Sequence, residues 1–352
     1  MDLEHPKPIT TAPPASPDAD AGRPHARPSR KRLWLFLLKM SVGLALCAII
    51  VVNVDWAEAA RSLAGTGLGT VGAMYAILLA LVFLSAYKWR VLLSMHGVEY
   101  TTLRLSKYYF IAVFFNNFLP TSIGGDGYRV YKTMGNGRSK ASAVIAVVME
   151  RLTGFATLIL LGVGAALLVA ADTGMDAALL WLVGLAVVVI GVPLAWRLRS
   201  FVPRRLVAAT PEKIRNIFTI LVEHWDDYLR QPRRSLGVLG ISVVFHLGVA
   251  FAYLIILRYG AGQSISMAQL ITALSITTLA AVLPISFNGL GVYEGTFIYL
   301  LAQYGVPPDV SIVPMLLNRG LLIAMSLAGA GVYLLDTAGD ASRPPAGAEI
   351  GR

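Results

Sequence analysis

Charged residues are scarce in this chain of 352 residues: Asp, Glu, Lys and Arg make up 14% of it, against about a quarter in an ordinary soluble domain. Hydrophobic residues make up 56%, and the mean hydropathy is +0.65. This composition excludes a disordered chain and argues against a water-soluble enzyme. Because the apolar residues are grouped in long blocks, we expect lipid to surround most of the protein.

Cysteine and recognisable catalytic motifs are almost absent as well. The single cysteine, Cys47, excludes an intrachain disulfide and, inside an apolar run, predicts a small packed side chain. The chain has no phosphate-binding loop of the G-x-x-x-x-G-K-S/T type, no H-E-x-x-H zinc motif and no cysteine pair with metal spacing. We therefore expect no metal, no cofactor and no catalytic residue.

Six apolar runs approach the roughly 20 residues that a helix needs to cross a bilayer. They lie at about 33–53, 69–87, 141–171, 177–196, 235–257 and 311–335. Two further stretches each consist of two apolar segments separated by a break, at 119–127 and at 283–291. In each break proline removes a helical donor and clustered glycines add flexibility. The sequence predicts an all-α polytopic membrane protein with six full spans and two broken segments.

The basic residues account for the net charge of +10 and predict the orientation, because cytoplasmic loops are enriched in Lys and Arg. Four segments contain 23 basic residues: 1–32, 88–107, 128–140 and 197–234. The other loops between the predicted spans contain only two, Arg61 and Arg258. Both termini are thus predicted to lie in the cytoplasm, and the expected membrane is a bacterial-type plasma membrane. A nucleic-acid partner is not expected.

The same distribution predicts how the broken segments enter the membrane. Basic segments flank the first break on both sides, so that break is predicted to be a re-entrant hairpin entering from the cytoplasm. The second lies between two loops assigned to the outside and is predicted to enter from the opposite face. Irregular backbone at membrane depth is tolerated only where protein or a watery cavity covers it, so each hairpin tip should lie inside the bundle.

The two breaks share the pattern L-P-x-S-x-x-G-x-G at a constant offset of 164 along the chain. The matched pairs are Leu119 with Leu283, Pro120 with Pro284, Ser122 with Ser286, Gly125 with Gly289 and Gly127 with Gly291. This match predicts two inverted repeats, a plan that many secondary transporters use, with substrate bound at the interrupted helices. The repeats are 33–171 and 177–335, the second including a cytoplasmic amphipathic elbow at 197–234, and the tails are 1–32 and 336–352.

A few charges remain inside apolar segments, where a charge near the bilayer centre costs about 2.5–3.5 kcal/mol on insertion scales. Lys39 is close enough to the cytoplasmic end to extend its ammonium into the interface. The other five surround the breaks: Asp126, Glu150, Arg151, Glu294 and Arg319. These five either bind substrate or pair with one another to lock the hairpins, and the two roles are compatible.

The candidate substrate-binding residues are the polar, charged and glycine residues at the breaks and on the spans that follow. They are Asn117, Ser122, Gly125, Asp126, Gly127, Arg129, Glu150, Arg151, Ser286, Asn288, Gly289, Gly291, Glu294, Asn318 and Arg319. Arginine suits phosphate because its planar fork can bind two oxygens, and the glycines would let backbone N–H groups approach the same group. The asparagines would either bond a headgroup or cap the broken helices.

These motifs resemble the transmembrane region of the lysylphosphatidylglycerol synthase family. The resemblance covers about 33–335 and rests on N-F-L-P at 117–120, G-G-D-G at 124–127, Glu150-Arg151, L-P-I-S at 283–286, G-L-G-V-Y-E-G at 289–295 and G-V-P-P at 305–308. In two-domain members it implies a region that moves an aminoacylated phospholipid to the outer leaflet, beside a cytosolic C-terminal domain that makes the lipid. Only the short tail 336–352 follows the last predicted span here, so we expect no aminoacyl transfer.

The sequence favours a flippase-like lipid translocase over an enzyme. Its expected substrate is a lipid with an anionic, phosphorylated or aminoacylated headgroup, which would cross through a central cavity between the two hairpins. Two alternatives stay open: an intramembrane enzyme that modifies lipids, and a non-transporting accessory protein of a lipid or envelope biosynthesis complex. A lipid-synthesising enzyme would accordingly be a protein partner.

Overall fold

The computed structural model describes six stretches of the chain: 30–118, 124–134, 140–173, 227–283, 285–286 and 289–341. The predicted span 177–196, most of the predicted elbow and most of each tail lie outside these stretches. Contacts divide the chain into two units, 1–38 and 39–352. Residues 30–38 of the first unit are helical, and the second unit contains the remaining described helices and both breaks.

Every described secondary-structure element is helical, which confirms the all-α prediction for this part of the chain. The helices are α1 (Arg30–Asn53), α2 (Trp56–Gly65), α3 (Leu68–Met95), α4 (Thr102–Phe118), α5 (Gly124–Thr133), α6 (Lys140–Thr173), α7 (Pro232–Ile255), α8 (Met267–Val282), α9 (Val292–Gln303) and α10 (Pro308–Ala341). A turn of π-helix, Ile256–Gly260, continues α7, and residues 227–230 are also helical.

Four helices are long and apolar enough to cross a membrane, and they correspond to four of the predicted spans. They contain Leu68–Met95, Ala141–Val169, Pro232–Gly260 and Pro308–Asp336. A fifth candidate is a bent pair, Leu37–Asn53 with Trp56–Gly65, whose axes meet at 81°. The bend follows from Asp55, whose side chain accepts the N–H groups of Ala57 and Glu58 and so starts a new helix.

Both predicted breaks interrupt the helical chain, between α4 and α5 and between α8 and α9. At the first, the Asn116 side chain accepts the N–H of Gly125 at 2.9 Å and caps the start of α5. At the second, the Glu294 carboxylate accepts the N–H of Gly291 at 2.8 Å. Each helix start is therefore satisfied by a side chain rather than by solvent. The face from which each hairpin enters the membrane remains a prediction.

The helix bounds repeat along the chain, but with two offsets rather than one. Helices α3 and α7 begin at Leu68 and Pro232, which is the offset of 164 that the sequence motifs show. After the breaks the offset is 168, since α5 and α9 begin at Gly124 and Val292. Helices α6 and α10 keep this larger offset at both ends. The second break is thus one helical turn longer than the first.

The longer second break changes which residues of the two halves correspond. The shared L-P-x-S letters match at the smaller offset, so the sequence pairs Gly125 with Gly289 and Gly127 with Gly291. In the structure Gly125 and Gly127 lie in the first turn of α5, whereas Gly289 and Gly291 precede α9 and have φ angles of +70° and +76°. These glycines are equivalent in sequence but not in position.

Helix packing follows the same repeat. Helix α4 packs on α10 and α8 packs on α6, so the first arm of each broken pair contacts the last helix of the other half. Helix α3 packs directly on α7. Small residues allow close approach, since a Cβ at Gly329 of α10 would collide with the carbonyl of Phe110 in α4. The described helices of the two halves therefore contact each other reciprocally.

Gly291→Ala is expected to destabilise the fold by about 1–3 kcal/mol, because its φ is +76° and its new Cβ would lie 3.0 Å from the Gly43 carbonyl oxygen. Gly295→Ala is the matched control, because Gly295 lies in the first turn of α9, the helix that Gly291 precedes. Its Cβ meets nothing within 4 Å, so we expect no loss and up to about 1 kcal/mol of gain. Thermal unfolding in detergent measures both, and equal melting temperatures would contradict the prediction.

Candidate functional site

The same ion pair occurs at equivalent positions of the two halves. Asp126 is the third residue of α5, and Arg151 on α6 donates to its Oδ2 from Nε at 3.1 Å and from Nη2 at 2.8 Å. Glu294 is the third residue of α9, and Arg319 on α10 donates to its Oε1 from Nε at 2.7 Å and also from Nη2. In each half the partners lie 25 positions apart. An ion pair between a carboxylate and an arginine therefore follows each break.

The two arginines of these pairs are accessible, although their carboxylate partners are largely buried. The Arg151 side chain is 51% exposed and that of Arg319 is 44% exposed. Each guanidinium directs one edge at a carboxylate and leaves Nη1 without a hydrogen bond among the described residues. A carboxylate in the first turn of a helix is also favoured by the helix dipole. Each pair holds an arginine in place while leaving it able to contact a ligand.

A second ion pair, deeply buried, is present in the first half. Arg129 on α5 is only 4% exposed and donates from Nη2 to the Glu150 carboxylate on α6. Its guanidinium lies 4.4 Å from the centre of the Trp89 ring and 4.7 Å from that of Tyr109. The Tyr109 hydroxyl donates to Glu150 Oε1 at 3.1 Å. The aromatic rings and the carboxylate together offset the cost of burying this charge.

Arg129 also connects the two ion pairs of the first half. Its Nη1 lies 3.5 Å from Asp126 Oδ1, while Asp126 Oδ2 binds Arg151. Lys88 on α3 adds a third cation, donating from Nζ to the backbone carbonyl of Glu150 at 2.9 Å. The first half thus has a continuous network of three cations and two carboxylates that joins α3, α5 and α6.

Among its described residues, the second half has no counterpart of the buried pair. At the larger offset, the residues equivalent to Arg129 and Glu150 are Phe297, which is fully buried, and Asn318, which is half-buried. Nearby, the hydroxyls of Tyr253 and Tyr293 lie 3.4 Å apart. The half-exposed arginine–carboxylate pair after the break is therefore common to both halves, whereas the buried pair of Arg129 and Glu150 occurs in the first half.

A cleft of about 310 Å³ opens beside the first-half network. Helices α3 to α8 line it, with apolar side chains along part of the wall. Its polar lining includes Lys88, Asn116, Arg129, Glu150, Arg151 and His246. A cleft of this size is at the lower end of those that hold small ligands. Charged residues inside a membrane bundle usually face such a cavity.

The structure assigns several predicted site residues to structural contacts. Asn117 donates to Ser326 Oγ on α10, so it joins the two halves. The Gly291 N–H bonds Glu294 and is not free for a ligand. A Cβ at Gly125 would collide with the Ala112 carbonyl, so this glycine permits close packing.

Of the other predicted site residues, the structure describes Gly127 and Ser286 but not Ser122 and Asn288. Gly127 is exposed and has open space around it. Ser286 is buried. Its Cβ would lie 3.6 Å from a Cβ added to Gly43 of α1, so the two residues are close neighbours. Ser122 and Asn288 lie outside the described residues.

The prediction that Lys88 belongs to a cytoplasmic loop was wrong. It lies within α3, which runs to Met95, and is 6% exposed. The available signal was the apolar run that continues to Leu93. Arg129 was also counted as a loop charge, and removing both still leaves 21 basic residues against 2. Tyr109 and His246 were missed because nothing in their local sequence indicates that they face a cleft. Asn116, beside the first break, caps α5, which is one of the two roles expected of the asparagines there.

The fold and the site define a class of protein: a multi-pass helical membrane protein with charged pairs at two interrupted helices. Among the described residues, no three His, Cys, Asp or Glu side chains come together as metal ligands. Residues 36–329 match the family model of the lysylphosphatidylglycerol synthase TM region. The chain belongs to this family, which confirms the resemblance seen in the sequence and supports a lipid-related role. No curated protein matches the chain.

Proposed function

We propose that this protein is a lipid translocase, which moves a polar headgroup between the leaflets while the hydrocarbon chains stay in the bilayer. One observation carries the proposal: each half presents a half-exposed arginine, Arg151 or Arg319, held by a carboxylate just after a helix break. Such pairs are expensive in a membrane, and charged residues there commonly mark a substrate pathway.

The chemistry of these arginines suits a headgroup that carries phosphate or another anion. A guanidinium has five N–H donors, and two of them bind the carboxylate in each pair. The remaining donors on the exposed side are available to a ligand. A headgroup that binds there would compete with the carboxylate, so binding would loosen the contact between the hairpin and the following helix.

Helix packing suggests how such a change would move the protein. Because α4 packs on α10 and α8 on α6, a shift of either broken pair is also a shift of one half against the other. We propose that the halves are inverted repeats in the plasma membrane, with cytoplasmic termini, and that they alternate about the cleft. The chain has no ATP-binding motif, so the exchange would be passive or driven by a gradient.

Reconstitution into liposomes tests this proposal. Purified protein is incorporated with a trace of lipid that bears a fluorescent headgroup-side label, and a membrane-impermeant quencher reports the fraction in the outer leaflet. We expect protein-dependent exchange at a rate at least tenfold above protein-free liposomes. Arg104→Gln is the matched control, since Arg104 is exposed and lies outside the cleft. Exchange equal to that of protein-free liposomes for every lipid class tried would refute the proposal.

The enzymatic alternative receives less support from the cleft. Asp126 and Glu150 are both bound by arginines, so neither is placed as a free general base. Mass spectrometry of the same liposomes detects a modified lipid if one forms. Co-purification tests the proposed association with a lipid-synthesising enzyme, and transport by the purified protein alone would argue against a purely accessory role.

A further inference from the structure

The first-half cleft has hydrogen-bond donors without a protein acceptor, whereas its charged and amide acceptors are each already bonded to a protein donor. The Glu150 carboxylate accepts from Arg129 and from Tyr109, and its backbone carbonyl accepts from Lys88. Asn116 Oδ1 accepts the N–H of Gly125. An ammonium group would therefore have to share each of these acceptors with a protein donor.

One further acceptor at the cleft is occupied in the same way. The carbonyl oxygen of Gly154 lies 3.0 Å from His246 Nε2 and accepts from it. The hydroxyls of Ser242 and Thr278 donate to carbonyls of their own helices. Their oxygens and the second ring nitrogen of His246 remain as neutral acceptors, which bind an ammonium group less strongly than a carboxylate does.

The Asp126 carboxylate, just outside the lining, already faces two cations. Its Oδ2 accepts two hydrogen bonds from Arg151. Its Oδ1 is buried and makes no hydrogen bond among the described residues, but it lies 3.5 Å from Arg129 Nη1. An ammonium group that approached this oxygen would therefore also approach the Arg129 guanidinium.

Several donors, in contrast, have no protein acceptor among the described residues. Arg129 Nε is buried and has no hydrogen-bond partner among the described residues, although Arg129 lines the cleft. The Lys88 ammonium group has three protons and makes one hydrogen bond there. Arg151 Nη1 is also unbonded and lies on a side chain that is half exposed. An unsatisfied buried donor carries a desolvation cost that an anionic ligand would remove.

The formal charges agree with the count of donors. Lys88, Arg129 and Arg151 are opposed by Asp126 and Glu150, so the network carries an excess of one positive charge. A single phosphodiester would neutralise it. A headgroup with added ammonium groups would increase the positive charge in a partly buried cleft, where charges interact more strongly than in water.

We propose that this cleft binds the phosphate of an anionic lipid headgroup and excludes aminoacylated headgroups. The proposal rests on the translocase function and narrows its substrate class. It departs from the aminoacylated lipid that the family resemblance implies. The lining also includes apolar side chains, among them Leu84, Val113 and Phe155, which suit the start of the hydrocarbon chains rather than a free phosphate ion.

Native mass spectrometry of the full chain in detergent tests the proposal directly. Phosphatidylglycerol and lysylphosphatidylglycerol with identical acyl chains are titrated separately. We expect phosphatidylglycerol to bind at least tenfold more tightly. Arg151→Gln should lower its affinity about tenfold and leave that of the lysyl lipid nearly unchanged. Arg104→Gln serves as the control and should preserve the preference, because its side chain does not line the cleft.

Three outcomes would overturn the inference. Equal affinity for the two lipids, or tighter binding of the lysyl lipid, removes the selectivity. Binding of soluble glycerol phosphate as tightly as the lipid removes the lipid assignment. An unchanged preference in Arg151→Gln and in Lys88→Gln, both with normal thermal unfolding, removes the cleft as its origin. None of these results bears on leaflet exchange, so the translocase proposal stands or fails separately in liposomes.

Discussion

Glu150→Asn is expected to be the most destabilising substitution at the site, lowering the free energy of unfolding by about 3–5 kcal/mol. It leaves the Arg129 guanidinium buried without its principal carboxylate, and the Tyr109 hydroxyl loses its acceptor as well. Removing one member of a buried ion pair costs more than removing both, because the remaining charge has no compensation. Thermal unfolding in detergent measures the loss.

The second half of the protein suggests how to rescue this variant. At the equivalent positions it has Phe297 and Asn318, which pack without any buried charge. The double variant Arg129→Phe with Glu150→Asn should therefore recover most of the lost stability, because phenylalanine can pack between the rings of Trp89 and Tyr109. We expect it to remain defective in leaflet exchange, since the network of the cleft is gone. A double variant no more stable than Glu150→Asn alone would contradict the structural equivalence of the halves.

Arg151→Gln and Arg319→Gln are each expected to slow leaflet exchange at least tenfold, which corresponds to about 1.4 kcal/mol. Their cost in stability should be about 1–2 kcal/mol, because the arginines are roughly half exposed and partly screened, whereas the carboxylates that lose this partner are largely buried. The liposome assay measures the exchange rate, and thermal unfolding measures the stability. Exchange at the wild-type rate in both variants would exclude them from the pathway.

Lysine at the same two positions separates a locking role from a substrate role. Arg151→Lys and Arg319→Lys keep the positive charge and can still pair with Asp126 and Glu294, but they lose the planar fork that binds two oxygens. If the arginines only lock the hairpins, the lysine variants should exchange lipid at nearly the wild-type rate. We expect them to remain several-fold slower, because the proposal requires the guanidinium to contact the headgroup.

Hydropathy and helix-breaking residues were sufficient to predict where the helices lie. The four long apolar helices and the two interruptions fall where the apolar runs and the proline–glycine clusters placed them. These features are local, because a span needs only enough consecutive apolar residues and a break needs only residues that a helix tolerates poorly. Family membership was also visible, because its motifs lie at the breaks themselves.

The correspondence between the halves was only partly visible in the sequence. Matching the letters of the two breaks sets Asp126 opposite Leu290, whereas the helices that follow the breaks begin one turn further apart and set it opposite Glu294. The shared prolines and glycines determined the alignment of the letters. The start of each helix is determined instead by its cap, Asn116 in one half and Glu294 in the other.

By itself, the sequence determined that this is a helical membrane protein of a lipid-related family, with five charges near two helix breaks. Only the tertiary structure decided which charges pair, that Arg129 and Lys88 are buried beside Glu150, and that the acceptors of the first-half cleft are occupied. The physical reason is that hydropathy and helix termination depend on neighbours along the chain. Ion pairing and burial depend on how helices rotate and pack, which brings together residues 25 or 62 positions apart.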